Sequence, residues 1–168
     1  MNKLIDFIHQ IYILRDLERY NNTMRIKSES VAEHSAFVTL IVLKLYEEYT
    51  FDLQKALIMA ITHDVPEVLI TDVPHNVKRR FPKVKEAVKN EEVAIFDSIF
   101  PQYTKLFKDL EEDTTVEAKI VVLADILSCV QYSTSEVKLG NTGYMSKVLQ
   151  ESEDRAKILT DELKEFKL

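Results

Sequence analysis

The chain has 168 residues, 46% of them hydrophobic and 30% charged, with a net charge of −6 and a pI near 5.3. That length fits one domain, 1–168, which buries roughly 68–70% of its extended-chain surface and so needs no disulfide or structural metal to complete a core. The acidic balance excludes a broad nucleic-acid footprint, and the single cysteine, Cys129, excludes an internal disulfide. Asp6, His9 and Gln10 interrupt the apolar N-terminus, and no stretch approaches the ~20 apolar residues of a membrane span. A cytoplasmic protein with no membrane or nucleic-acid-polymer partner is expected. With two glycines and four prolines, the chain is poor in turn residues, which favours an all-α, single-domain globular helical bundle.

The first expected helix covers Asn2 to Leu14, with Ile5, Ile8, Ile11 and Tyr12 as an apolar stripe. Residues 15–29 are polar and aperiodic, turning at Asn21-Asn22. Ser30 and Glu33 read as a capping box that opens the second helix, and Asp52 caps a third, LQKALIMAITHD, expected to bury Leu53, Leu57, Ala60 and Ile61. Residues 70–78 read as a loop after a short helical turn. Pro82 and Pro101 suit the first turns of helices over about 82–99 and 101–111. A long helix follows from about Thr114 to Leu139, stopped by Gly140, and a last one covers about 144–166.

Chemistry-bearing residues stand out against this pattern. His63-Asp64 alone means little, since four His and eleven Asp give about 0.26 such pairs by chance. Its setting says more. His63 lies one turn after Met59 and Ala60, and His34 precedes Phe37, Val38 and Ile41 at helical spacing, so both face inward. Asp125 sits in KIVVLADILSCV with no Lys or Arg between Lys119 and Lys138. A buried carboxylate costs several kcal/mol unless paired or metal-bound, so a partner must come from elsewhere in the fold. A lone inward His is more often a hydrogen-bonded core residue, a lone Asp a bundle contact, and Asp64 a helix terminator. One shared metal explains the set more simply than four separate accidents.

Two imidazoles and two carboxylates suit one divalent transition ion, Mn, Fe, Co or Zn, better than calcium. Glu67 follows His63 at i+4 and Asp64 at i+3, and Asp72 follows in the loop; paired carboxylates beside a metal-activated water fit acid–base work. Arg19 and Arg25 can fork onto a phosphate, although loop arginines are usually just solvated, as is the default for Lys78-Arg79-Arg80. His9 reads as structural and His75 is left open.

The strings R-x-x-x-x-x-R-x-x-x-E-S-V-A-E-H-S (Arg19 to Ser35), H-D-V-P-E-V-L-I-T-D-V-P (His63 to Pro74) with Val77-Lys78, and L-A-D-I-L (Leu123 to Leu127) resemble the HD-domain superfamily of metal-dependent phosphohydrolases, most closely the bacterial YfbR-like 5′-deoxynucleotidase family. The resemblance implies the HD-domain fold, with His34, His63, Asp64 and Asp125 as ligands to the ion. It also implies Glu67 and Asp72 as the residues handling water and proton, and Arg19, Tyr20, Asp72 and Lys78 as substrate-binding residues. The implied reaction is hydrolysis of a nucleoside 5′-monophosphate by a homodimer. Tyr20 stands where the family often has Trp, and His75-Asn76 replace the usual small or Pro residues; both departures fall in the substrate pocket and spare the metal site. The competing readings are a phosphodiesterase or other small phosphate-ester hydrolase, a catalytically silent nucleotide-binding regulator, and a purely structural bundle.

Overall fold

A computed structural model describes residues 2–168, apart from the side chain of His75. Among the described residues nine α-helices run in the order α1 (Asn2–Tyr12), α2 (Val31–Leu45), α3 (Leu53–Thr62), α4 (Glu67–Ile70), α5 (His75–Arg80), α6 (Pro82–Ile99), α7 (Thr104–Glu111), α8 (Val116–Lys138) and α9 (Tyr144–Glu162). No strand occurs among the described residues, only isolated bridges Glu18–Ser30 and Tyr49–Lys167. The all-α expectation holds.

α8 is the axis, packing against α2, α3, α7 and α9. It is long and apolar enough to cross a membrane by those criteria alone, contrary to the reading of the sequence, but here its faces are the core of the bundle. Thr115 caps it by accepting the Ala118 N–H. At its other end Gly140 takes φ +107°, while the Gly140 and Asn141 N–H groups return to the carbonyls of Val137 and Glu136. These are the two bonds of a Schellman stop, and a residue with a Cβ would be strained at that φ. Val38, Val42, Ala56, Met59, Ile120, Leu123 and Leu159 fill the main core. A smaller cluster, Leu14, Val31, Val65 and Val68, lies under the entry to α2.

Several boundaries and faces differ from the sequence reading. α1 ends at Tyr12, and a 3₁₀ turn, Ile13–Arg15, takes over. α1 has no fully buried residue: Phe7 packs edge-on against Phe100, while Ile5, Ile8 and Tyr12 are exposed. α3 buries Ala56, Met59 and Ala60, whereas Ile61 is exposed; the face toward α2 and α8 is the i, i+3, i+4 one, and Ile61 falls off it. Residues 75–80 form a helix where a loop was expected, because Pro74 (φ −55°) leads directly into a turn closed by Lys78 N–H to the Pro74 carbonyl. The segments after Pro101 and Glu162 divide, with 3₁₀ turns Pro101–Tyr103 and Lys164–Phe166 beside the helices.

Candidate metal centre

The capping box at Ser30 is fully formed: its side chain accepts the Glu33 N–H while Glu33 accepts the Ser30 N–H. This fixes the start of α2 and places His34 one turn in, with no exposed surface. His63 ends α3, and its Nδ1 donates to the Ala60 carbonyl at 2.8 Å, which leaves Nε2 as the free lone pair. Asp125 comes from the middle of α8. The ligand atoms of His34, His63 and Asp125 all lie within 4.8 Å of one another. Asp64 joins them, with Oδ2 3.1 Å from His63 Nε2 and 3.9 Å from His34 Nε2. The four residues singled out in the sequence therefore converge.

His34 Nε2 and His63 Nε2 are both buried with no hydrogen-bond partner among the described residues, although carboxylate oxygens stand 2.9 Å and 3.1 Å away. The separations are short but the alignment is wrong for N–H···O bonds. Two orphaned imidazole nitrogens facing two carboxylates are costly as a metal-free polar cluster and suited to a divalent transition ion.

Asp125 is less buried than expected. Its side chain is 36% exposed because it borders two cavities, and its missing cation is Arg19, whose Nη2 lies 3.8 Å away. The first cavity, about 320 Å³, is walled by His63, Asp64, Glu67 and Lys78. The second, about 480 Å³, holds Arg19, Tyr20 and Asp72, with Tyr144 and Val148 of α9 opposite. Of the expected substrate residues, Arg19, Tyr20 and Asp72 thus come together. Lys78 does not; it lies on the other side and pairs with Glu92 at 3.0 Å. Glu67 and Asp72 likewise line different cavities.

The charges are strongly coupled. Burial opposes ionisation of Asp125, yet His34 and Arg19 hold its carboxyl far below the ordinary range. Burial also opposes a charge on His63, but Asp64 beside it pulls the imidazole pKa upward. Glu67 is pushed well up by burial and by the charges of Asp64 and Asp72, and its Oε2 has no partner. Burial raises Asp72 as well. Arg19 is held by Glu29 at 3.0 Å and points Nη1 at His34 Nδ1, 2.6 Å away.

Glu29, Ser128 and Glu136 are given no role in the sequence reading, yet all three are buried, Glu29 and Ser128 beside Arg19 and His34 and Glu136 farther along α8. The signal was present in α8: Asp125, Ser128-Cys129, Tyr132 and Glu136 repeat at helical spacing along one side.

A family model described as 5′-deoxynucleotidase YfbR-like matches residues 6–167. The chain belongs to this family. It is 28% identical over 182 residues to the 4′-phosphooxetanocin A phosphatase of Priestia megaterium, an alignment spanning 99% of this chain and 90% of the relative. A solved structure from Pyrococcus furiosus superimposes with a TM-score of 0.74 at 29% identity, covering 91% of this chain and 99% of the other. The fold is shared with the HD phosphohydrolase of cyanophage S-2L, solved with dA and one catalytic Zn²⁺ ion, at a TM-score of 0.69 and 19% identity over 89% of this chain and 81% of that one. Membership and the HD-type fold agree with the resemblance read from the sequence.

Proposed function

We propose that this chain, acting as one domain over residues 1–168 in the cytoplasm, is a metal-dependent 5′-nucleotidase. It hydrolyses (deoxy)nucleoside 5′-monophosphates to nucleoside and phosphate, with one divalent transition ion held by His34, His63, Asp64 and Asp125. The observation that carries this reading is the pair of buried, unpartnered Nε2 atoms beside Asp125, at the junction of two cavities. Bound there, the ion would supply positive charge to the phosphate and acidify a water molecule.

The residues divide the remaining work by side. Phosphoryl transfer needs the attacking and leaving oxygens roughly in line, on opposite faces of phosphorus. Glu67 lies in the smaller cavity, where the charge of a bound ion would offset the burial and the acidic neighbours that raise its pKa, so that it could hold the attacking water as a carboxylate and take its proton. Asp72 lies with Tyr20 in the larger cavity, which has room for a nucleoside, and there it can protonate the departing 5′ oxygen. Arg19 stands between them and orients the phosphate through its planar fork of donors. Lys78, paired with Glu92, contributes charge from the water side.

Product formation from a panel of substrates tests the assignment, read as inorganic phosphate from nucleoside monophosphates and as the monoester product from cyclic nucleotides and phosphodiesters. Turnover of monophosphates at least tenfold above every diester is expected. The reverse order would make the protein a phosphodiesterase, and no turnover with bound nucleotide would make it a regulator.

A homodimer fits the surface. α1 fully buries none of its residues and exposes Ile5, Ile8 and Tyr12, while Phe37 and Leu40 of α2 are more than half exposed, Phe37 contrary to its expected inward position. An isolated 11-residue helix is marginal in water, and a second copy covering this face would retain it. Sedimentation should give twice the chain mass for the wild type and the single mass for Phe37→Glu; a monomeric wild type would remove the dimer.

A further inference from the structure

Beyond Arg19 the chain makes an excursion over residues 20–28 before returning at Glu29, where the Arg19 N–H meets the Glu29 carbonyl at 2.9 Å. Tyr20, at the start of this loop, has φ +55°, an uncommon conformation for a bulky side chain that something must hold. The loop has no helix or sheet ladder of its own; Thr23 N–H and Arg25 bond the Tyr20 carbonyl within it, and its far half is bonded to α8 and to Asn141 just beyond.

Glu136, 1% exposed near the end of α8, accepts the Ile26 and Lys27 N–H groups, each at 2.8 Å. It also accepts from Asn141 Nδ2 at 2.8 Å, and the same amide donates to the Met24 carbonyl at 2.9 Å. One turn earlier, the Tyr132 hydroxyl donates to the Lys27 carbonyl at 2.7 Å, and its ring stacks on Tyr20 with centroids 4.8 Å apart and planes 4° apart. Burial opposes the charge of Glu136, but the bonds from Asn141, Ile26 and Lys27 keep its carboxyl below the ordinary range. Such a carboxylate is costly to bury and is retained only while all its donors are in place.

Glu136 touches neither the ion site nor the cavity, yet it ties together both walls of the larger one. The loop carries Tyr20 on one side, and Asn141 leads directly into α9, which carries Tyr144 and Val148 on the other. We propose that Glu136, with Asn141 and Tyr132, is a positioning residue for the nucleoside part of the substrate. It fixes the separation of the cavity walls and so sets affinity for sugar and base, leaving the metal and phosphate end unaffected. This rests on the nucleotidase reading. Arg19 has its own anchor in Glu29, so the phosphate end does not depend on the clamp.

Glu136→Gln keeps the shape but offers one acceptor oxygen to three donors and turns its own NH₂ toward one of them. With metal-loaded protein, the KM for the best nucleoside monophosphate should rise at least tenfold while kcat stays within about threefold. Inhibition by inorganic phosphate, which probes only the metal end, should stay within about twofold. Asn141→Ala removes one donor and should raise KM in the same sense by a smaller factor, which keeps the test available if Glu136→Gln does not fold. Folded variants with unchanged KM overturn the proposal. So does an equal loss of phosphate and nucleotide binding, or failure of both variants to fold, either of which makes the network merely structural. Failure of the nucleotidase reading would show separately, as a wild-type preference for some other phosphate ester. The clamp is then scored on that ester against the same phosphate control, where an unchanged ratio overturns it.

Discussion

Arg19 meets four groups: Glu29, His34, Cys129 and Asp125, at 3.0, 2.6, 3.6 and 3.8 Å. A neutral imidazole carries one N–H. If His34 Nε2 gives its lone pair to an ion, Nδ1 must hold the proton, and Ser128 Oγ at 3.2 Å can accept it. Arg19 must then turn its Nη1 elsewhere, and the phosphate end of the larger cavity is where it opens. Lysine has neither the fork nor the reach to satisfy Glu29 and phosphate together. Arg19→Lys should therefore lose more than tenfold in kcat/KM, about 1.4 kcal/mol of transition-state stabilisation, at unchanged metal content. Activity within twofold of wild type would make Arg19 an ordinary ion-paired residue.

At this scale the sequence was readable where chemistry contrasts with its neighbours. His34, His63 and Asp125 stand among apolar residues at helical spacing, and an inward titratable group is a detectable anomaly. Lys78 was not separable from the surface, because nothing local tells that its partner is Glu92, 14 residues on. Glu136 lay hidden for a similar reason: its donors come from residues 26 and 27, about 110 positions away.

Among the elements, α2 shows most clearly how a local signal positions a distant site. The Ser30–Glu33 box satisfies N–H groups that the helix start would leave open and fixes the phase in which His34 enters the core. Ser30→Ala should cost about 0.5–2 kcal/mol, lowering the thermal midpoint by a few degrees. Metal content should be retained, since the ligands themselves remain. A midpoint equal to wild type would show that tertiary packing alone fixes this helix start. The N-caps of α2 and α3 were legible because each rests on a side chain within three residues of its bond, and the end of α8 because glycine favours the positive φ of a helix stop. The exposed stripe of α1 and the position of Ile61 were not, since periodicity gives the apolar side of a helix and leaves open whether a neighbour covers it.

The whole molecule is acidic, and a nucleoside monophosphate is an anion, so binding depends on positive charge concentrated at one place. In the proposed reading Arg19 and the ion would supply it at the junction of the two cavities, where α2, α8 and the end of α3 bring His34, Asp125 and His63-Asp64 together. The central claim is that His34, His63, Asp64 and Asp125 hold the ion and that Glu67 acts on the water beside it. Metal content and nucleoside monophosphate turnover, measured together on Asp125→Ala and Glu67→Ala, test it most directly. Asp125→Ala should lose metal and activity together, whereas Glu67→Ala should keep its metal and lose roughly 10²–10⁴ in kcat. Stoichiometric metal in Asp125→Ala, or near-normal kcat in Glu67→Ala, would contradict the account.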